Sequence, residues 1–129
     1  MTNDPLADAI NVIKTHERAG LAECKIAPAS KTIKSVLLIL QQNGYIGEFE
    51  FFDDGKSGYF VVHLRGKINK CAVIKPRVSV KNEDWTEWEQ RYLPSKNIGL
   101  LIVSTSKGIM SHKQAKDLKI GGKLMVYIY

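Results

Sequence analysis

Apolar residues in the first half of the chain change their period from one short segment to the next, and that alternation limits the fold more than any other feature. Leu6, Ala9, Ile10 and Ile13 recur at helical spacing after Pro5 until Gly20 ends the pattern, and Asp4 stands where a helix cap belongs. Residues 22–26 read as a short strand. Ser30 then precedes Ile33, Val36, Leu37 and Leu40, a second helix with its own cap, which Gly44 closes. Residues 45–52 and 59–64 are β-patterned, and Asp53-Asp54-Gly55-Lys56-Ser57-Gly58 between them is rich in residues that tolerate unusual dihedrals. The expected order is α-β-α-β-β.

The second half is patterned differently. Residues 68–80 are basic and β-branched, and Pro76 predicts a strand that bends or ends there. The acidic segment of residues 83–90, with Trp85 and Trp88, reads as a loop or a single helical turn. An apolar strand over residues 98–103 leads into Ser104-Thr105-Ser106-Lys107-Gly108-Ile109-Met110, expected as a strand-to-helix loop. Ser111 with Gln114 makes a capping box for a helix to Leu118, and Gly121-Gly122 turns the chain into a last, alternating strand. The fold class expected is α+β in two small lobes. Residues 1–64 form an N-terminal α-β-α-β-β lobe; residues 65–129 form a C-terminal lobe, mostly β with one short helix. No repeat, low-complexity segment or long linker separates them.

At 129 residues and 44% hydrophobic, the chain has enough apolar surface for a core. No apolar run approaches the roughly 20 residues needed to cross a bilayer. Asp4 and Asp8 sit where a signal peptide would carry cations, so a cytosolic protein is expected. Cys24 and Cys71 form no CxxC pair and have no histidine at ligand spacing, which argues for buried free thiols and against a disulfide framework or a zinc site.

Charge is distributed unevenly. Residues 1–64 hold six Lys/Arg against eight Asp/Glu, a balance of −2, while residues 65–129 hold thirteen against five, a balance of +8. Arg65, Lys67, Lys70, Lys75, Arg77 and Lys81 follow one another with no acid among them, and Lys107, Lys113, Lys116, Lys119 and Lys123 form a second series. A polyanion bound by the C-terminal half explains that asymmetry better than solubility does.

The Ser104–Met110 string names the polyanion. Hydroxyls of Ser104, Thr105 and Ser106 donate to and accept from phosphate and ribose, Gly108 removes a side chain that would block approach, and Lys107 supplies neutralising charge. RNA suits this chemistry best. Other sites fail on spacing. Gly55-Lys56-Ser57-Gly58 matches a KH-type GxxG but joins two β-patterned runs, and Gly121-Gly122-Lys123 lacks the rest of a phosphate-binding P-loop. No GxSxG elbow accompanies Ser104, Ser106, Cys24 or Cys71. His63 lies in an apolar strand, while His16 and His112 read as a packing or capping residue and a backbone contact. Enzymatic activity is not expected. Tyr45, Phe49, Phe51, Phe52, Tyr59 and Phe60 alternate as core strands would, and Trp85 and Trp88 among their acids read as a protein-contact or lobe-packing feature. An adaptor working through that segment is the rival reading.

Asp4-Pro5-Leu6-Ala7-Asp8, Pro28-Ala29-Ser30-Lys31, Asn43-Gly44-Tyr45-Ile46, the residues from Val103 to Met110, and Gly121-Gly122-Lys123, in that order, resemble the small-subunit ribosomal protein eight family. The resemblance spans nearly the whole chain. It implies two small α/β lobes, no catalytic activity and no cofactor; no metal and no small-molecule substrate are expected. It implies partners as well: the central domain of small-subunit ribosomal RNA, bound early in assembly, and neighbouring small-subunit proteins, with no membrane. By position it assigns Ser104, Thr105, Ser106, Lys107 and Gly108 to an RNA stem, Gly121, Gly122 and Lys123 to an adjacent contact, and Pro28, Ser30 and Lys31 to a second contact from the first lobe. Lys67, Lys70, Lys75 and Arg77 complete the expected basic surface. The segment of residues 81–96 is longer and more aromatic than in bacterial members, so the chain looks more like the archaeal and eukaryotic branch.

Overall fold

The computed structural model describes residues 5–27, 29–75, 77–95 and 98–129, and it divides into a unit over Met1–Ile68 and another over Asn69–Tyr129. Asp4, Pro28 and Pro76 lie outside the described residues.

In the first unit the helical periodicity becomes α1 (Pro5–Arg18), which buries Leu6, Ala9, Ile10 and Ile13, and α2 (Lys31–Gln42), which buries Ile33, Val36, Leu37, Ile39 and Leu40. The Ser30 hydroxyl caps α2 by accepting from the Ile33 amide at 3.2 Å. The strands β1 (Glu23–Ile26), β2 (Ile46–Phe52) and β3 (Tyr59–Leu64) form an antiparallel sheet ordered β1-β3-β2. Register places Cys24 opposite Val62 and Ile26 opposite Phe60; all four are buried, and α1 packs against β1 and α2 against β2. Burial, helped by Glu17 and Glu23, pushes the Cys24 thiol up to about 11, so it stays a protonated, unreactive core residue. The other face of the sheet carries Lys25, Glu50, Phe52 and Tyr59, with the Lys25 ammonium 4.2 Å from the Tyr59 ring centroid.

The aromatic residues of this sheet differ from expectation. Only Phe60 is buried among the six, while Phe51 and Phe52 are 56% and 40% exposed. Alternation predicted which side chains share a face, and a single layer of two helices over three strands leaves the second face and the β2 edge in solvent.

In the second unit a four-strand path β4 (Cys71–Val73), β8 (Gly122–Ile128), β6 (Leu100–Thr105), β7 (Gly108–Ser111) is joined by β5 (Ser79–Val80), which also pairs with β8. Both faces of β6 are apolar and closed: Leu100, Leu101, Ile102 and Val103 are at most 2% exposed. Leu101 and Val103 join a core with Ile74, Val80, Trp85, Leu93, Met110, Ala115 and Leu124. Leu100, Ile102, Val126, Ile128 and Cys71 lie on the opposite face by register. The expected strict alternation of the last strand is broken, because the register shifts between Ile102 and Val103 and places Leu124, Met125 and Val126 in sequence at 1% exposure or less.

The acidic segment is more ordered than a loop. A 3₁₀ turn over Asn82–Asp84 leads into α3 (Trp85–Tyr92). Trp85 is 1% exposed and its indole N–H donates to the Ile120 carbonyl at 3.1 Å, so it is a core residue of this unit and offers no surface to a partner. Trp88 is half-buried and begins a run of ring contacts through Tyr92 and Tyr127 to Tyr129 that fastens α3 to the sheet.

Candidate nucleic-acid interface

The Ser104–Met110 string is a β-hairpin, not the strand-to-helix loop its composition suggests. Thr105 opposes Gly108 across the turn, Ser104 opposes Ile109, and Val103 opposes Met110. The Thr105 hydroxyl accepts from the Lys107 amide at 3.1 Å and donates to the Gly108 carbonyl at 2.8 Å. Its hydrogen is therefore committed to closing the turn. Gly108 sits at φ +113°, a conformation that L side chains rarely adopt, and this is why the turn needs glycine. Ser106 and Lys107 form the exposed tip, and the Ser106 hydroxyl has no intramolecular partner among the described residues.

Cross-strand register extends the site beyond the hairpin. Ser79 pairs with Lys123, Lys123 with Ser104, and Ser104 with Ile109, so these side chains stand side by side on one face of β5, β8, β6 and β7. A hydroxyl, an ammonium and a second hydroxyl follow at steps of about 5 Å. Ser79 and Lys123 are exposed and Ser104 is half-buried. The row lies where the apolar rows of that face end, next to the hairpin tip. Sequence reasoning missed Ser79; its only signal is the Val78-Ser79-Val80 alternation, which gives no partner strand.

Gly121 and Gly122 have a packing reason. A Cβ on Gly121 would lie 2.3 Å from the Val80 carbonyl oxygen, and one on Gly122 would lie 2.8 Å from the Ser104 carbonyl oxygen. The pair lets β8 enter between β5 and the hairpin, and this holds Lys123 between Ser79 and Ser104.

At its far end the hairpin runs into α4 (His112–Asp117), whose cap is the capping box of Ser111 and Gln114. His112 is 1% exposed, and its Nδ1 accepts from the Leu101 amide at 3.0 Å, so the ring proton resides on Nε2. Nε2 lies 3.0 Å from the Glu89 carboxylate, off the line of a good hydrogen bond, and the Lys116 ammonium binds the same carboxylate oxygen. Burial is the main cause holding the His112 pKa below its ordinary value; Glu89 opposes the shift, and Lys116 and Lys113 add to it.

The remaining expected contacts lie on other elements. Lys67 belongs to the first unit, and Lys70, Lys75 and Arg77 are exposed residues of the second that flank β4 and precede β5. Ser30 spends an acceptor site on the α2 cap, Lys31 is exposed in the first turn, and both line a groove of about 270 Å³ with Lys34, Phe51 and Ser57. Pro28 lies outside the described residues. Among the described residues, no group of three or more His, Cys, Asp or Glu side chains is placed to hold a metal ion, and no helix is long and apolar enough to cross a membrane.

A family model described as ribosomal protein S8 matches residues 4–129. The chain belongs to the ribosomal protein S8 family. Members of this family are structural proteins of the small ribosomal subunit in the cytoplasm, not enzymes; they bind its RNA and neighbouring ribosomal proteins. RNA binding by ribosomal protein S8 family members calls for hydroxyls and cations, because A-form RNA is read largely through ribose and phosphate.

Proposed function

We propose that the chain binds the central domain of small-subunit ribosomal RNA and helps that domain assemble, with residues 65–129 as the RNA-binding lobe. The observation that carries this reading is the row Ser79, Lys123, Ser104 beside the tip Ser106-Lys107. Ser104 and Ser106 present hydroxyls to ribose and phosphate, Lys107 and Lys123 neutralise charge, and Thr105, Gly108, Gly121 and Gly122 give the backbone its shape. Lysines set affinity and hydroxyls set position. Lys67, Lys70, Lys75 and Arg77 add long-range attraction, and Ser30 and Lys31, with Pro28 before them, form a second contact from the first unit. We group the chain with archaeal and eukaryotic members of the family on the length and aromatic content of residues 81–96. Gel shifts against purified rRNA fragments, with a lysine-rich control protein, test the reading: the chain should select one central-domain stem, and binding that merely tracks fragment length would refute it.

A further inference from the structure

The three-stranded sheet ends on β2, whose open ladder edge and Glu50 face the proposed RNA contacts do not use. β2 pairs only with β3, which leaves its other side a free ladder edge among the described residues. At seven residues it is longer than the other edge strands β1 and β7, with four each, β4, with three, and β5, with two. Stable monomers blunt such edges with charged side chains, lysine above all, with proline or with bulges, and here the only charges are the carboxylates of Glu48 and Glu50. β2 contains neither lysine nor proline, and its one irregularity lies between Ile46 and Phe49, so Phe49 to Phe52 keep regular register. Phe51 and Phe52 point to opposite faces, paired with Phe60 and Tyr59, and are 56% and 40% exposed.

The charges that β2 and its turn themselves contribute have one sign, while Lys31 and Lys34 line the groove beside Phe51 and Arg65 donates to the Gly44 carbonyl ahead of the strand. Glu48 and Glu50 are exposed, Asp53 and Asp54 follow, and no lysine or arginine occurs between Lys34 and Lys56 in a chain of net charge +6. The β1 edge, by contrast, alternates Glu23 and Lys25. The face that carries Glu50, opposite the one on which Phe51 meets the Lys31 and Lys34 groove, suits cationic polypeptide.

We propose that the β2 edge docks an extended lysine- and arginine-rich segment of a neighbouring protein, which adds to the sheet as a fourth strand. Main-chain pairing to β2 supplies affinity, and alternate side chains supply specificity. Cations on the incoming strand face Glu50, on the open face, and apolar side chains on its other face cover Phe51. The proposal gives a place to the protein-binding habit of the family and stands apart from the RNA reading.

The test titrates the full ¹⁵N-labelled chain with a synthetic peptide alternating lysine with valine, and with a counterpart of equal charge N-methylated at alternate amides. Amide exchange should slow across Ile46–Phe52 with the first peptide only. Glu50→Lys, an exposed change, should weaken that peptide several-fold while leaving binding to an rRNA fragment unaltered. No slowing on β2, or equal binding by the N-methylated peptide, overturns the proposal. In assembled subunits a photoreactive side chain at position 50 should cross-link to a basic, extended segment of a neighbouring protein. A cross-link to RNA alone, or none, overturns it and leaves the reading of Ser104 and Ser106 intact.

Discussion

The Leu101 amide donates to Nδ1 of His112 at 3.0 Å, tying the start of β6 to the first residue of α4 where the hairpin ends. This bond exists only while His112 is neutral, because protonation puts a hydrogen where the amide hydrogen now points. Its folded pKa is depressed, so below the ordinary value of 6.5 the unfolded chain binds the extra proton more readily than the folded chain. The contribution is therefore present above pH 6.5 and lost as pH falls from there toward the folded value. Urea midpoints measured between pH 7.5 and pH 5 should fall in the native chain, and the part of that fall due to His112 should vanish in His112→Asn. Glu89, Lys113 and Lys116 are the charged groups acting on the ring, and Lys116→Met should shallow the dependence by removing one source of repulsion.

Gly122→Ala forces a methyl to 2.8 Å from the Ser104 carbonyl oxygen, a backbone atom that cannot swing aside. Overpacking of this kind costs about 1–3 kcal/mol. Chemical denaturation should show that loss, and RNA affinity should fall with it because Lys123 is displaced from between Ser79 and Ser104. Unchanged stability would show that β8 has room the packing does not allow.

Trp85 and Trp88 should separate cleanly. Trp85→Ala removes a fully buried indole and leaves the Ile120 carbonyl without its donor, so a loss of about 3–5 kcal/mol is expected. Trp88→Ala, at a half-buried position packed against the core, should cost clearly less. Equal, small effects from both would restore the segment as a surface feature.

The lines that the sequence made legible are those with a local cause. α1, α2 and the α4 capping box follow from apolar spacing and from the Ser30 and Ser111 hydroxyls, which act within four residues. What stayed hidden depends on contacts distant in sequence. Ser106-Lys107 closes a hairpin because β7 finds β6, yet the same letters serve a strand-to-helix loop. α3 is only eight residues long, and its stability comes from Trp85 inside the core and from rings reaching Tyr127 and Tyr129. Phe51 and Phe52 alternate like core residues, but no second layer covers their edge. Within the site, Ser104 and Ser106 were legible as hydroxyl donors. Thr105 as the fastener of the turn and Ser79 as a neighbour of Lys123 were not, because a hydrogen bond and a strand register decide them.

The lysines should act collectively. If about six phosphates are neutralised, the logarithm of affinity should fall with the logarithm of salt concentration at a slope of roughly −4 to −5. Lys123→Met should lower the slope by nearly one phosphate's worth while leaving the preference for the cognate stem in place. A flat salt series from filter binding would contradict the electrostatic part of the account.

The most direct measurement compares Ser106→Ala on the cognate central-domain stem and on a generic duplex, with Thr105→Val as the control for turn integrity. A positioned hydroxyl lost while its RNA partner stays unpaired costs about 1–3 kcal/mol. The account predicts that loss on the cognate stem, little change on the generic duplex, and unchanged stability, since Ser106 has no intramolecular partner among the described residues. Thr105→Val should instead weaken the fold and both RNAs together. Equal losses on the two RNAs for Ser106→Ala would contradict the claim that this hairpin recognises its RNA by shape.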